Sequence, residues 1–228
     1  MTRSKFAMLL ILLAACSAAV ALAESEAISR DEGHRNEEAV LRYLRPVLQS
    51  SRMAARIFYR ADCQADDDYP IPFPKLRLRP PGTRTDGVSA IRDIFRNNKG
   101  IWVTNSEPGV VHVRIGNIPE TLFRTKISKL VLSPVEQYDV QSAFRAIQNT
   151  IEFQQALRIL RVRGVSRPYN LPVQSPVEGL PHLPSALTNI TVDQALDAVA
   201  KTFGVVVVFG FCDSPPTYDL TYTGTKEW

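Results

Sequence analysis

The sequence has few of the residue patterns that mark catalytic or metal sites. Its three histidines are His34, His112 and His182, and none of their spacings matches a metal-ligand pair such as His-x-x-x-His. No Cys-x-x-Cys, Gly-x-Ser-x-Gly, phosphate-binding glycine loop or dinucleotide fingerprint is present. We therefore predict no catalytic residue, metal site or cofactor from motifs, although scattered loops can still assemble an active site.

The sequence also lacks a long internal apolar run and an excess of one charge. Beyond residue 23, no run approaches the roughly 18 apolar residues that a membrane-spanning helix needs. The 27 basic and 23 acidic residues are interleaved and give a net charge of +4. Because nucleic-acid-binding proteins concentrate positive charge on one face, nucleic acid is not expected as a partner.

Residues 1–23 have the pattern of a secretory signal peptide. A positive n-region is followed by an apolar run at 6–15 and an Ala-x-Ala cleavage site at 21–23. The protein is thus predicted to be exported, into the periplasm or the medium. A second interpretation stays open, because residues 13–16 resemble a bacterial lipobox. Cys16 would then carry a lipid, which would be the protein's attachment to a membrane.

Cleavage after residue 23 leaves one pair of cysteines, Cys63 and Cys212. An even pair in an oxidising compartment favours a disulfide. This disulfide would close a loop of about 150 residues and stabilise the fold by roughly 4–5 kcal/mol before any strain. The alternative is two buried thiols that behave as small apolar side chains. We predict the disulfide.

The chain divides into segments of different composition. Residues 24–36 are polar and unpatterned, which predicts a flexible tether, whereas 37–165 carry the helix and strand patterns of an α+β unit. Residues 166–185 are rich in proline and predict a linker or a strap across the surface. The segment 186–228 predicts a second unit, of the αββ type.

Two stretches share the order of a helix followed by two strands. The first begins with a helix cap at Asp86 and ends at Ile115, and the second runs from Thr191 to Thr223. Within the second, residues 205–209 are a β-branched run typical of a buried strand. The sequence predicts an α+β fold with two αββ-type units, whose helices pack on one face of mixed or antiparallel sheets.

Helix ends are marked at several places. Thr191 and Gln194 have the spacing of a capping box, and Gly204 is placed to end that helix in the left-handed conformation. The apolar stripe of an earlier helix shifts its phase near Thr150, which predicts a break or bend there.

Residues 189–208 resemble the short N-terminal domain of secretins and TonB-dependent receptors. The matching positions are Asn189, Ile190, Val192, the Ala195-Leu196 pair, Gly204 and the strand 205–208. The resemblance implies a small periplasmic βαβ module that contacts other proteins and performs no catalysis. Because no barrel or secretin domain follows in this sequence, we expect the module to act alone or as a subunit.

Several aromatic residues fall on predicted strands, where alternate side chains face opposite sides of a sheet. They are Trp102, Phe209, Phe211, Tyr218 and Tyr222. One interpretation is a core face with a row of wetted tyrosines on the other side. The other is a recognition surface beside an open strand edge.

Together these patterns predict an exported bacterial cell-envelope protein that acts as a non-catalytic protein-interaction module, with another envelope protein as its partner. The alternative is a secreted hydrolase that takes acid and base groups from loops, using Asp66 to Asp68 with His112 or His182. The acidic run does not have the ligand spacing of an EF-hand, which favours a solvated loop over a calcium site.

Overall fold

The structure, a computed structural model, describes residues 31–64, 71–82, 87–164, 179–214 and 216–225, with the backbone alone at 62–64. The helices are α1 (31–51), α2 (Gly87–Phe95), α3 (Glu120–Arg124), α4 (Pro134–Tyr138), α5 (Val140–Gln148), α6 (Ile151–Leu160) and α7 (Val192–Phe203). The strands are β1 (Ala54–Gln64), β2 (Ile101–Glu107), β3 (Val110–Ile115), β4 (Lys126–Val131), β5 (Arg163–Gly164), β6 (Ala186–Thr191), β7 (Val205–Ser214) and β8 (Pro216–Gly224). None of the helices in these ranges is both long and apolar enough to span a membrane.

A mixed sheet of six strands is the centre of the fold. Its order is β2-β3-β1-β7-β8-β5, and strands β4 and β6 form a separate antiparallel pair. β1 is parallel to both of its neighbours, whereas β2–β3 and β7–β8 are antiparallel hairpins. The strands of both predicted αββ units therefore lie in one sheet, joined by β1. The α+β fold class is confirmed.

Apolar side chains cover both faces of this sheet. On one face α3, α5, α6 and α7 pack against Phe58, Val207 and Phe209, and we call this layer the α7-side core. On the other face α1 and α2 pack against Ile57, Val206 and Val208, which we call the α1-side core.

The helix positions differ in one respect from the sequence-based expectation. Each αββ unit has its helix on one face, but α2 and α7 lie on opposite faces of the shared sheet. The reason is the continuous apolar run of β7, which presents side chains alternately to the two faces. A strand of this kind is stable only when both of its faces are covered.

The C-terminal helix begins and ends where the sequence predicts. The Thr191 hydroxyl accepts a hydrogen bond from the Gln194 N–H at 3.1 Å, and the Gln194 side chain accepts from the Thr191 N–H at 2.9 Å. Gly204 adopts φ 60°, a conformation that favours glycine. The predicted break near Thr150 is also confirmed, because Thr150 caps α6 after α5 has ended.

The predicted tether is helical where the structure describes it. Residues 31–36 belong to α1, and two of them contact the segment at 71–73. Asn36 donates a hydrogen bond to the Phe73 carbonyl at 3.1 Å, and Gly33 lies so close to Pro72 that an added Cβ would be 2.9 Å from the Pro72 Cα. The prediction of a flexible tether is therefore wrong for 31–36. Residues 1–30, including the predicted leader and Cys16, lie outside the described ranges.

The end of the predicted proline-rich linker packs on the fold. Leu183 is buried in the α7-side core, and its N–H donates to the Gln137 carbonyl at 2.9 Å. Ser185 accepts a hydrogen bond from the Leu132 N–H at 2.8 Å, just before β6 begins. Residues 183–185 therefore lie across the surface as a strap, whereas residues 165–178 are outside the described part of the chain.

Candidate functional site

Three of the most buried polar side chains that the structure describes meet between the sheet and α7. Arg56 and His112 occupy opposite positions in the register of β1 and β3, so they share one face of the sheet. Asp193 and Asp197 are one helical turn apart on α7, which places both on the side that faces the sheet. Arg56, His112 and Asp197 are only 1%, 3% and 1% exposed. The pairing of β1 with β3 and the packing of α7 on them thus assemble the cluster.

The carboxylate of Asp197 is the centre of this buried cluster. Its Oδ1 accepts a hydrogen bond from Arg56 Nη1 at 2.7 Å and lies 2.7 Å from His112 Nε2. Its Oδ2 accepts from the Ser106 hydroxyl at 2.9 Å. Arg56 also donates to the Asp193 carbonyl at 2.6 Å, and its Nη2 lies 2.8 Å from Asp193 Oδ1. A charged group at this depth is tolerable because it is surrounded by donors.

The surroundings of Asp197 keep it ionised. Burial by itself would raise the pKa of its carboxyl, but the hydrogen bond from His112 and the positive charge of Arg56 outweigh burial, so the pKa is lowered from its ordinary value. The Arg56 guanidinium is also covered by an aromatic ring, because its Cζ lies 4.5 Å from the centroid of Phe58.

This arrangement joins sheet and helix and is poorly suited to catalysis. A general base must reach a substrate proton by a hydrogen bond or through one water. His112 is instead buried, in contact with Asp197 and with the edge of the Phe58 ring at 5.4 Å between centroids. His182 is exposed and stacks on Tyr138 with 5.0 Å between ring centroids. Asp66 to Asp68 lie outside the described residues, so the loop-borne acid groups of the hydrolase alternative are not placed.

Most of the predicted aromatic residues belong to the core. Phe209, Phe211 and Tyr218 are buried, and Tyr222 packs partly against the same α7-side core. The interpretation of this set as a recognition surface is therefore wrong for these four residues, because side chains of α3, α5 and α6 pack on their face of the sheet. Trp102 is different, since it is 55% exposed.

Trp102 lies on the edge strand β2, which pairs only with β3 among the described strands. We call residues 101–107 the β2 edge. Two observations show which backbone groups point outward. The Gly100 carbonyl accepts a hydrogen bond from Gly116 on the β3 side at 3.0 Å, whereas Arg92 of α2 donates to the Val103 carbonyl at 3.3 Å. Because the N–H and C=O of one residue in an antiparallel strand point the same way, the Val103 N–H also points outward.

The two predicted disulfide partners lie on adjacent strands. Ala61 of β1 is opposite Cys212 of β7, and after an irregularity Gln64 is opposite Ser214, so the backbone of Cys63 lies between these two pairings and close in register to Cys212. Cys212 is buried in the α1-side core. The side chain of Cys63 is not among those described, so the disulfide stays a prediction.

Among the described residues, no group of three His, Cys, Asp or Glu side chains is placed to hold a metal ion. No family model matches the chain, and neither a curated protein nor a solved structure matches it. The resemblance of residues 189–208 to the short N-terminal domain of secretins and TonB-dependent receptors therefore stays a prediction from the sequence.

Proposed function

We propose that this chain is an exported bacterial cell-envelope protein that acts as a non-catalytic protein-interaction module and binds an extended segment of its partner along the β2 edge. The observation that carries this proposal is Trp102, a large aromatic side chain that is 55% exposed on an edge strand. The signal-peptide pattern at residues 1–23 supports export.

An edge strand offers unpaired backbone groups to an incoming strand. In recognition by strand addition, main-chain hydrogen bonds supply affinity and alternate side chains supply specificity. The outward N–H of Val103 is such a donor. Trp102 projects from the α7 side of the sheet, beside Arg114 in the strand register, and exposed tryptophan is frequent among residues that dominate binding energy.

Charge near the β2 edge favours an acidic partner segment. Arg92 is exposed and contacts the backbone of β2, and Lys99 is exposed two positions before the strand begins. Neither has a carboxylate partner among the described residues. An extended segment that carries carboxylates beside an apolar residue would complement both cations and the Trp102 ring.

The buried cluster supports the non-catalytic part of the proposal. Its acid and base groups, Asp197 and His112, bind each other and Arg56, so they are occupied by internal contacts. No described observation favours the hydrolase alternative over this one.

The test places a photo-crosslinking phenylalanine analogue at Trp102 of the full chain in its host cells. A partner adduct is expected at this position, and none when the analogue replaces the exposed residue Gln155 of α6, which is the matched control. The crosslinked segment, identified by mass spectrometry, should contain acidic residues. Equal adducts at both positions would contradict the proposal.

A second variant tests pairing through the backbone. Val103→Pro removes the outward N–H and leaves the hydrogen bonds to β3 in place, and proline is tolerated at such edge positions. It should abolish the adduct, whereas Val103→Ala, which keeps the N–H, should retain it. Circular dichroism of both variants checks that the fold is unchanged. An adduct that persists in Val103→Pro would rule out strand addition.

A further inference from the structure

A second surface feature lies at the opposite edge of the sheet from β2. A cleft of about 570 Å³ opens between the end of α6 and the strands β5 and β8. Its volume is within the range of small-molecule sites, which is roughly 300–1,000 Å³. The cleft and the β2 edge lie at opposite edges of the six-stranded sheet. A role for the cleft therefore does not depend on the function proposed above.

The cleft is lined by positive charge. Arg158, Arg161 and Arg163 contribute to its wall, and none of the described residues that line it is a carboxylate. Within the described part of the chain, none of the three has an ion-pair partner. A position in the last turn of α6 explains Arg158 by attraction to the helix C-terminus. Arg161 and Arg163 lie beyond that turn, so the helix end does not account for them.

Arg161 occupies a position that favours glycine. It follows the last residue of α6 with φ 54° and ψ 34°, the left-handed conformation in which helices commonly end on glycine. A side chain at this position costs backbone energy that glycine would avoid. The chain nevertheless places a guanidinium there, at the wall of the cleft.

Tyr218 supplies a hydrogen-bond donor at the cleft. Its hydroxyl oxygen accepts from Gln148 Nε2 at 3.1 Å, which leaves its own proton available. Burial raises the pKa of Tyr218 to about 12, so the hydroxyl stays protonated at neutral pH. Gly164 lies directly over this ring, where an added Cβ would be 3.1 Å from the hydroxyl oxygen, so glycine allows β5 to approach Tyr218 closely.

We propose that this cleft binds a small ligand with more than one oxyanion group, a phosphate or carboxylate compound, through Arg158, Arg161, Arg163 and the Tyr218 hydroxyl. A planar guanidinium donates two parallel hydrogen bonds to either kind of oxyanion. Three guanidiniums around one cleft repel one another until an anion neutralises them, which gives a polyanion an advantage over chloride.

The test uses isothermal titration calorimetry of the full chain at low ionic strength, with pyrophosphate and citrate as separate probes. Saturable binding of at least one of them is expected, and the tighter probe identifies the phosphate or the carboxylate class. Sodium chloride at matched ionic strength is the control. If neither probe binds saturably, or if both bind no more tightly than chloride, the proposal is overturned.

Arg161→Gly separates binding from folding. It removes one guanidinium and gives the left-handed position the residue that favours it, so the variant should be at least as stable as the original chain. We expect its affinity to fall tenfold or more, and a similar fall for Arg163→Gln. Arg79→Gln, at an exposed arginine outside the cleft, should leave the affinity unchanged. Equal affinities in Arg161→Gly, Arg163→Gln and the original chain would overturn the proposal.

Discussion

Arg56 of β1 and Asp197 of α7 form an ion pair at 2.7 Å, although 141 positions separate them in the sequence and both side chains are almost completely buried. The pair fixes α7 on the central strands at one rotation and one height, because the guanidinium also contacts the carbonyl and carboxylate of Asp193. Since desolvation offsets much of the attraction in a buried pair, we expect this one to contribute more to the choice of one packing arrangement than to net stability.

Removal of one member of the pair should be strongly destabilising. Arg56→Met leaves the Asp197 charge buried without its counter-ion, and we expect a loss of about 3–5 kcal/mol in the free energy of unfolding. Urea denaturation measures it. The double variant Arg56→Met with Asp197→Leu removes both charges and should recover a large part of the loss. A single variant within about 1 kcal/mol of the original chain would contradict the role assigned to the pair.

The same cluster predicts that the free energy of unfolding falls at acidic pH. The pKa of Asp197 is lower in the folded chain than its ordinary value of 3.8, so the unfolded chain binds this proton first as the pH falls. The contribution of Asp197 is therefore fully present above its unfolded pKa and is lost as the pH falls through its folded pKa. Urea denaturation from pH 6 downward measures it. Asp197→Asn should show a flatter slope in the acid range, and equal slopes would show that the prediction is wrong.

Gly210 should not accept a side chain. An added Cβ would lie 2.6 Å from the hydroxyl oxygen of Tyr59, whose ring is buried and whose hydroxyl donates to the Ile71 carbonyl at 2.6 Å. Because the ring is buried and its hydroxyl is hydrogen-bonded, the ring cannot easily move aside, and Gly210→Ala should cost about 1–3 kcal/mol of stability. Thermal denaturation compares it with Gly82→Ala, where the added Cβ meets one atom at 4.0 Å. Equal melting temperatures for the two variants would contradict the predicted clash.

The predicted disulfide between Cys63 and Cys212 has a direct chemical test. Protein purified from an oxidising compartment should be alkylated at both cysteines only after reduction, and reduction should lower the free energy of unfolding by up to roughly 4–5 kcal/mol. The parallel register of β1 and β7 supports the prediction at the level of the backbone. Cys212→Ser is the control, since reduction should not change its stability. Free alkylation of both cysteines in the folded chain would exclude the disulfide.

The predicted export has its own measurement, the intact mass of protein purified from its host. A mass that begins at Glu24 is the expected result for signal-peptide cleavage after residue 23. A mass that begins at Cys16 with acyl chains added would instead identify a lipoprotein. A mass that includes the whole of residues 1–23 would contradict both interpretations.

The sequence predicts the local elements well because their causes are local. The capping box of Thr191 and Gln194 and the left-handed Gly204 act at the two ends of a single helix. The break near Thr150 follows from side chains a few positions away. The single shared sheet is different, because β1 pairs with β3 on one side and with β7 on the other. No periodicity within β1 specifies which distant strands will be its neighbours.

The same limit applies to the buried cluster. Asp193 and Asp197 are four positions apart on α7. Asp197 lies within the apolar stripe of this helix, so the sequence alone indicates that its charge faces the sheet. The counter-ion of Asp197 could not be predicted from the sequence. Arg56 is one of many arginines, and its position opposite His112 depends on the pairing of β1 with β3. For the aromatic residues, strand alternation predicts which of them share a face of the sheet. It does not predict which face the helices cover.

The central position of β1 has a consequence for the folding of the newly made chain. Its partner β7 lies about 150 positions later in the chain, so the middle of the sheet cannot form until β7 has emerged from the ribosome. Contacts this distant in sequence form slowly. We therefore expect the nascent chain to remain unfolded for longer than a chain of the same length whose contacts are mostly local. The export that we propose would need that form for passage through a narrow channel, and this strand order favours it.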